Sequence, residues 1–129
     1  MLVVDASVVA PLIADDGPDG DLFRAAVRGQ TLAAPDLLGV EVLSVVRRHL
    51  ASGDLDARQA SNAVDDLLAL PITLYPTTPL LRRCWELRSN VTAYDACYVA
   101  LAEALDVVLL TADARLANEP GTRCSFQLI

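Results

Sequence analysis

At 129 residues the chain has the length of one domain, long enough to bury roughly two-thirds of its unfolded surface. A hydrophobic content of 53% excludes a disordered chain. Apolar runs such as Ala96–Ala102 and Val107–Leu110 fall far short of the ~20 residues that span a bilayer as a helix. Ten basic against 17 acidic residues leave a net charge of −7, and every basic residue is an arginine. Such a surface repels nucleic acid on average, so a nucleic-acid substrate requires the acids to be gathered locally around a metal.

The chain opens Met1-Leu2-Val3-Val4-Asp5, which reads as a first strand and not as a signal peptide. Cys84, Cys97 and Cys124 are an odd number at unrelated spacings, and His49 is the only histidine. This pattern argues against a zinc site and for a reduced, cytoplasmic protein without a membrane anchor.

Short β-branched runs alternate with longer helical patterns, the signature of an α/β domain with a mainly parallel sheet. Strands are expected at Leu2–Val4, Thr31–Ala33, Thr73–Tyr75, Val107–Leu110 and Ser125–Leu128. Helices are expected at Ser7–Ala14, Gly20–Val27, Leu37–Ala51, Ala57–Leu70, Pro79–Arg88 and Ala93–Leu105, with a short turn after Asp113. Asp56-Ala-Arg-Gln59 fits a capping box, and Thr78 before Pro79 fits an N-cap with proline at N1. Gly53 suits a left-handed helix end. Leu38, Val42, Val45, Val46 and His49 recur at helical spacing and mark the buried stripe of the third helix.

Four acids fall in places that carry chemistry: Asp5, Glu41, Asp95 and Asp113. Asp5 ends the first strand and Asp113 lies just past the fourth. Parallel sheets bind ligands outside the carboxyl ends of their strands. Both residues also suit helix caps, as does Ser7, and position does not choose between the two roles. Glu41 lies near the start of the third helix beside its apolar stripe; taken singly, it reads as a solvated border residue. Asp95 fits the third position of a Thr92 cap. Its helix continues Ala-Cys-Tyr-Val-Ala-Leu-Ala, apolar nearly all round, and an ionised carboxylate there demands compensation. A cluster of the four would suit Mg²⁺ or Mn²⁺, which take oxygen ligands.

At this point the sequence resembles the PIN-domain family, and within it the VapC toxins. The matching segments are Val3-Val4-Asp5-Ala6-Ser7, then Pro35 to Ser44 around Glu41, Thr92 to Glu103 around Asp95, and Leu110 to Leu116 around Asp113. They stand in family order and cover nearly the whole chain as a single PIN domain. The resemblance implies a three-layer α/β/α sandwich around a five-stranded sheet and Mg²⁺- or Mn²⁺-dependent RNA cleavage. It further implies a metal cluster of Asp5, Glu41, Asp95 and Asp113, supported by the hydroxyls of Ser7 and Thr111. A VapB-type antitoxin and a homodimer complete the expectation. Some relatives carry another acid shortly after the fourth motif, where this chain has Leu116 and Ala117.

An acidic nuclease needs basic groups beside its site. Arg47, Arg48 and Arg115 are the candidates for RNA contacts, whereas Arg82, Arg83 and Arg88 read as solvated helix faces. Trp85 and Tyr94 are expected to pack in the core more readily than to stack on bases. Two rival readings share the acids. One is a receiver-like domain that binds Mg²⁺ without catalysis, against which the absence of lysine counts. The other is a metal-dependent phosphatase or DNA nuclease.

Overall fold

The computed structural model describes residues 1–129. The chain runs through β1 (Leu2–Val4), α1 (Ala6–Ala14), α2 (Pro18–Val27), β2 (Leu32–Pro35), α3 (Leu38–Ser52), α4 (Ala57–Ala69) and β3 (Ile72–Tyr75). A 3₁₀ turn (Thr78–Leu80) then leads into α5 (Leu81–Glu86), α6 (Ala93–Leu105), β4 (Val108–Thr111), α7 (Ala114–Ala117) and β5 (Phe126–Leu128). The expected elements are all present, with ends displaced by no more than two residues, and the start of the expected fifth helix forms the 3₁₀ turn.

All five strands are parallel, in the order β3-β2-β1-β4-β5. From β1 the chain builds outward through β2 to β3, then crosses back to lay β4 on the other flank of β1. Right-handed crossovers therefore put α1–α4 on one face and α5–α7 on the other. The packing agrees: α1 meets α2, α3 and α4, whereas α6 lies across β1, β2 and β4 beside α5. The adjacent β1 and β4 carry connections that diverge in opposite directions, which opens a crevice at their carboxyl ends.

The core explains why α6 lacks a polar face. Ala96 through Ala102 are all buried, since this helix spans the middle of the sheet and is covered by α5. At the α3 end, Gly53 adopts φ +84°, as its position implied. The Asp56–Gln59 capping box is complete in both directions, at 2.8 and 2.9 Å.

Several local expectations need correction. Thr78 does not cap a helix; it lies inside the 3₁₀ turn, where the Leu80 N–H closes on the Thr77 carbonyl at 2.8 Å. The stripe of α3 ends early. Leu38, Val42 and Val46 are buried and Val45 half-buried, but His49 is exposed and meets Asp54 at 3.1 Å. Trp85 and Tyr94 are 63% and 67% exposed, so neither belongs to the core, and Trp85 instead takes the Arg88 guanidinium over its ring at 4.6 Å. Arg83 is not a solvated face residue. It forms a two-pronged pair with Glu103 at 2.7 and 3.2 Å, and donates to the Gly121 carbonyl at 2.8 Å.

Candidate active site

The crevice between β1 and β4 collects the four acids singled out in the sequence. Asp5 follows β1 directly and is 5% exposed. Its carboxylate is gripped on both oxygens: Ser7 Oγ donates to Oδ1 at 2.5 Å and Thr111 Oγ1 to Oδ2 at 2.5 Å. Each hydroxyl accepts in turn from the turn after β4. The Ala112 N–H reaches Ser7 Oγ at 2.9 Å and the Asp113 N–H reaches Thr111 Oγ1 at 3.1 Å. Two short relays therefore tie the end of β4 to the end of β1 through one carboxylate. Helix α1 begins at Ala6 with Asp5 at its N-cap position, so the hydroxyl of Ser7 turns to Asp5 and is not a cap.

Asp113 serves as the N-cap of α7, its Oδ1 accepting from the Arg115 and Leu116 N–H groups at 2.9 and 3.4 Å. Capping and proximity to the crevice coincide in this residue. The Arg115 guanidinium lies 3.7 Å from the same oxygen but is 90% exposed, which leaves it a weak, screened partner. Asp95 stands in the first turn of α6, half-buried, with its N–H held by the Thr92 hydroxyl at 3.3 Å. Asn90, Thr92, Asp95, Asp113, Arg115 and Glu119 line a small open cleft of about 150 Å³. Leu116 is buried in the core.

Glu41 is half-buried in the first turn of α3 and accepts a 2.6 Å hydrogen bond from the hydroxyl of Tyr98 on α6. Tyr98 was not identified among the sequence candidates. Its signal was present in the spacing, because Asp95 and Tyr98 are three apart and so share a helix face. Tyr98 is 1% exposed, and burial together with the Glu41 carboxylate drives its phenol far above its ordinary range.

Burial and neighbouring charge shift three of the carboxylates. Burial pushes Asp5 above its ordinary value, against the opposing hydrogen bonds of Ser7 and Thr111. Burial likewise raises Glu41, with the charges of Asp95 and Asp5 adding to it. Asp95 is raised by burial and then by Asp5 and Asp113. Glu41 and Asp95 thus each feel other acids, and the site holds more negative charge than its single exposed arginine offsets. The donor chemistry, oxygen throughout, fits a hard divalent cation of the Mg²⁺ or Mn²⁺ kind. As arranged, however, no three of these side chains converge closely enough to grip one ion. Their oxygens are already engaged: both of Asp5, one of Asp113 and one of Glu41.

Arg47 and Arg48 are both exposed on α3. Arg48 is seven residues past Glu41, two turns and roughly 10 Å along the same helix face, whereas Arg47 points about 120° away.

The family model for the PIN domain matches residues 2–120. The chain belongs to the PIN-domain family, among the VapC ribonucleases. Ribonuclease VapC1 of Mycobacterium tuberculosis is 44% identical over 128 residues, covering 98% of this chain and 96% of that one. Among solved structures, the sarcin–ricin-loop-cleaving toxin VapC20 of M. tuberculosis superposes with a TM-score of 0.72 at 14% identity, covering 95% of this chain and 97% of that one. VapBC2 of Rickettsia felis, solved bound to a promoter DNA fragment, has a TM-score of 0.69 at 12% identity over 99% of this chain and 98% of that one. At those identities the two structures speak for the fold alone, a five-stranded PIN-like α/β sandwich as the motifs implied.

Proposed function

We propose that this chain is the toxin of a toxin–antitoxin pair, an endoribonuclease that hydrolyses RNA phosphodiester bonds with Mg²⁺ or Mn²⁺ at Asp5, Glu41, Asp95 and Asp113. The observation that carries the reading is the meeting of four carboxylates from four separate segments at the crevice of the sheet, with Asp5 raised by burial and Glu41 and Asp95 raised by burial and by neighbouring acids. Family membership supplies the reaction class.

Within this reading each carboxylate has a distinct task. Asp5 is the fixed point, since Ser7 and Thr111 leave it no rotational freedom. Asp113 keeps Oδ2 available while Oδ1 caps α7, and Asp95 projects into the cleft from a capped helix start. With so many oxygens already engaged, the ion would retain several waters and take few direct protein ligands, as Mg²⁺ commonly does. When bound it supplies Lewis-acid activation of water and charge neutralisation at the phosphate. Arg115 at the cleft rim and Arg48 below Glu41 would hold flanking phosphates, with Arg47 at the margin.

The excess negative charge also suits control by a VapB-type antitoxin. A basic segment folding against this chain would bring an arginine to the carboxylates and block metal or RNA. We further propose a homodimer in the cytoplasm; no helix is long and apolar enough to cross a membrane. The direct test is to incubate the purified chain with RNA and with DNA of equal sequence, with Mn²⁺ or with a chelator. Cleavage of RNA alone, and only with metal, is expected. Cleavage of DNA, or of RNA in chelator, contradicts the proposal.

A further inference from the structure

We propose that Tyr98 is a positioning residue for the metal site, acting through Glu41: its buried hydroxyl holds Oε1 and leaves Oε2 as the one oxygen Glu41 presents to the ion. The inference rests on the metal-site reading above and adds to it a residue and a division of labour between two oxygens.

Three observations carry it. The hydroxyl of Tyr98 donates to Glu41 Oε1 at 2.6 Å, the short distance typical of a bond to a charged acceptor. The ring is 1% exposed and locked in the stretch Ala96–Ala102, so the donor cannot follow the carboxylate if it swings. Glu41, by contrast, sits half-exposed on a different helix, with three rotatable side-chain bonds and no other hydrogen-bond partner. Without the tyrosine its carboxylate would sample several rotamers, each of which must be given up on binding an ion.

The placement of Tyr98 makes this more than the satisfaction of a buried hydroxyl. It lies one turn after Asp95 on the same face of α6, so the helix that presents Asp95 also aims Glu41. Glu41 and Asp95 repel, and a fixed donor between α3 and α6 keeps the carboxylate from turning toward solvent. Asp5 receives the equivalent service from Ser7 and Thr111. The site thus has a rigid acid held on both oxygens and a long acid held on one.

The experiment is a double-mutant cycle on Mn²⁺ affinity, read by electron paramagnetic resonance, with RNA cleavage followed in parallel. The variants are Tyr98→Phe, Glu41→Ala and the pair, and each is checked for folding by circular dichroism and thermal unfolding. Removing a hydrogen-bond partner of a metal-ligating group commonly weakens affinity or activity by about 10–100-fold. Tyr98→Phe should weaken Mn²⁺ binding and lower kcat by about tenfold, with little change in KM for RNA. In the Glu41→Ala background it should change neither. Equal loss in both backgrounds, or a lowered melting temperature with unchanged Mn²⁺ affinity, overturns the proposal and leaves Tyr98 a structural residue. If Glu41→Ala itself leaves Mn²⁺ affinity intact, Glu41 is not a ligand, and the proposal falls together with that part of the site. Should the pair fold poorly, Glu41→Gln, which keeps an acceptor for Tyr98 while removing the charge, replaces Glu41→Ala. With its single oxygen taken by Tyr98, that glutamine turns its NH2 to the ion and cannot ligate it, so Tyr98→Phe should not weaken the binding that Glu41→Gln retains, and a further tenfold loss contradicts the proposal.

Discussion

Thr111 and Asp5, 106 positions apart in the chain, are joined by a 2.5 Å hydrogen bond that closes the carboxyl ends of β4 and β1. Thr111 is fully buried and Asp5 nearly so, which makes the bond a charge-assisted one without competing water. Replacing Thr111 by Val should destabilise the protein by roughly 1.5–3 kcal/mol at pH 7. The loss should shrink at pH 4, where Asp5, its pKa already raised by burial, is increasingly protonated. Urea unfolding at the two pH values reads the difference, and an equal loss at both assigns the effect to packing.

The acids of the crevice destabilise the metal-free protein. Asp95, Glu41 and Asp5 all have folded pKa values above their ordinary 3.8 or 4.5. The folded state therefore binds more protons than the unfolded one just above those values, and stability falls as pH rises through the window. Asp54 and Glu103 have lowered values and act in the opposite sense only at lower pH. Asp95→Asn should then raise the metal-free melting temperature at pH 7 by roughly 2–4 °C, less than about 1 kcal/mol for this size. Asp5→Asn should not, because an amide cannot accept from both Ser7 and Thr111. Calorimetry of the chelated proteins decides; a fall with Asp95→Asn would mark that acid as structural.

Away from the crevice, Glu103 anchors the loop before β5. Burial would raise its carboxyl, but hydrogen bonds from Arg83 and the Arg123 N–H hold it below the ordinary 4.5. With side chains only 19% and 13% exposed, the Arg83–Glu103 pair is more than a surface ion pair. Glu103→Ala should destabilise by roughly 2 kcal/mol at neutral pH. The contribution is present above pH 4.5 and fades as pH falls through the lowered value. RNA cleavage well below the melting temperature should be unchanged; lost cleavage would tie this loop to the site.

The arginines beside the acids separate by geometry. Arg115→Ala and Arg48→Ala should each raise KM for RNA and flatten its salt dependence by about 0.7 in log–log slope, the value for one single-strand phosphate. Arg47→Ala, on another face of α3, should do less. Salt titration of RNA binding by the three variants checks the order, and equal slopes for all would remove Arg48 and Arg115 from the substrate path.

The strands, most helices and all four acids were legible in the sequence because each rests on a local pattern: alternation, 3.6-residue spacing, caps, or an acid where a strand ends. Asp95 stood out since its helix offers no polar face to excuse it. What escaped depends on neighbours remote in sequence. Trp85 and Tyr94 look like core residues by type, yet α5 and the start of α6 leave them on the surface. Arg83 looks solvated until Glu103 is folded beside it, and His49 follows the α3 stripe past the point where anything covers it. Tyr98 passed for core filling, as its ring is, while its hydroxyl answers to a glutamate on another helix.

The central claim is that these carboxylates hold the metal that cuts RNA, and Asp95 tests it most directly, because it faces the cleft and its replacement leaves the Thr92 cap intact. Steady-state cleavage of a fluorescent RNA by the wild-type chain and by Asp95→Asn, across a Mn²⁺ titration, is the measurement. The account predicts metal-dependent cleavage by the wild type and a loss of at least about 100-fold in the variant, as for removal of an ion that supplies several kcal/mol to the transition state. Full activity in a folded Asp95→Asn protein, or wild-type cleavage that ignores Mn²⁺, would contradict it.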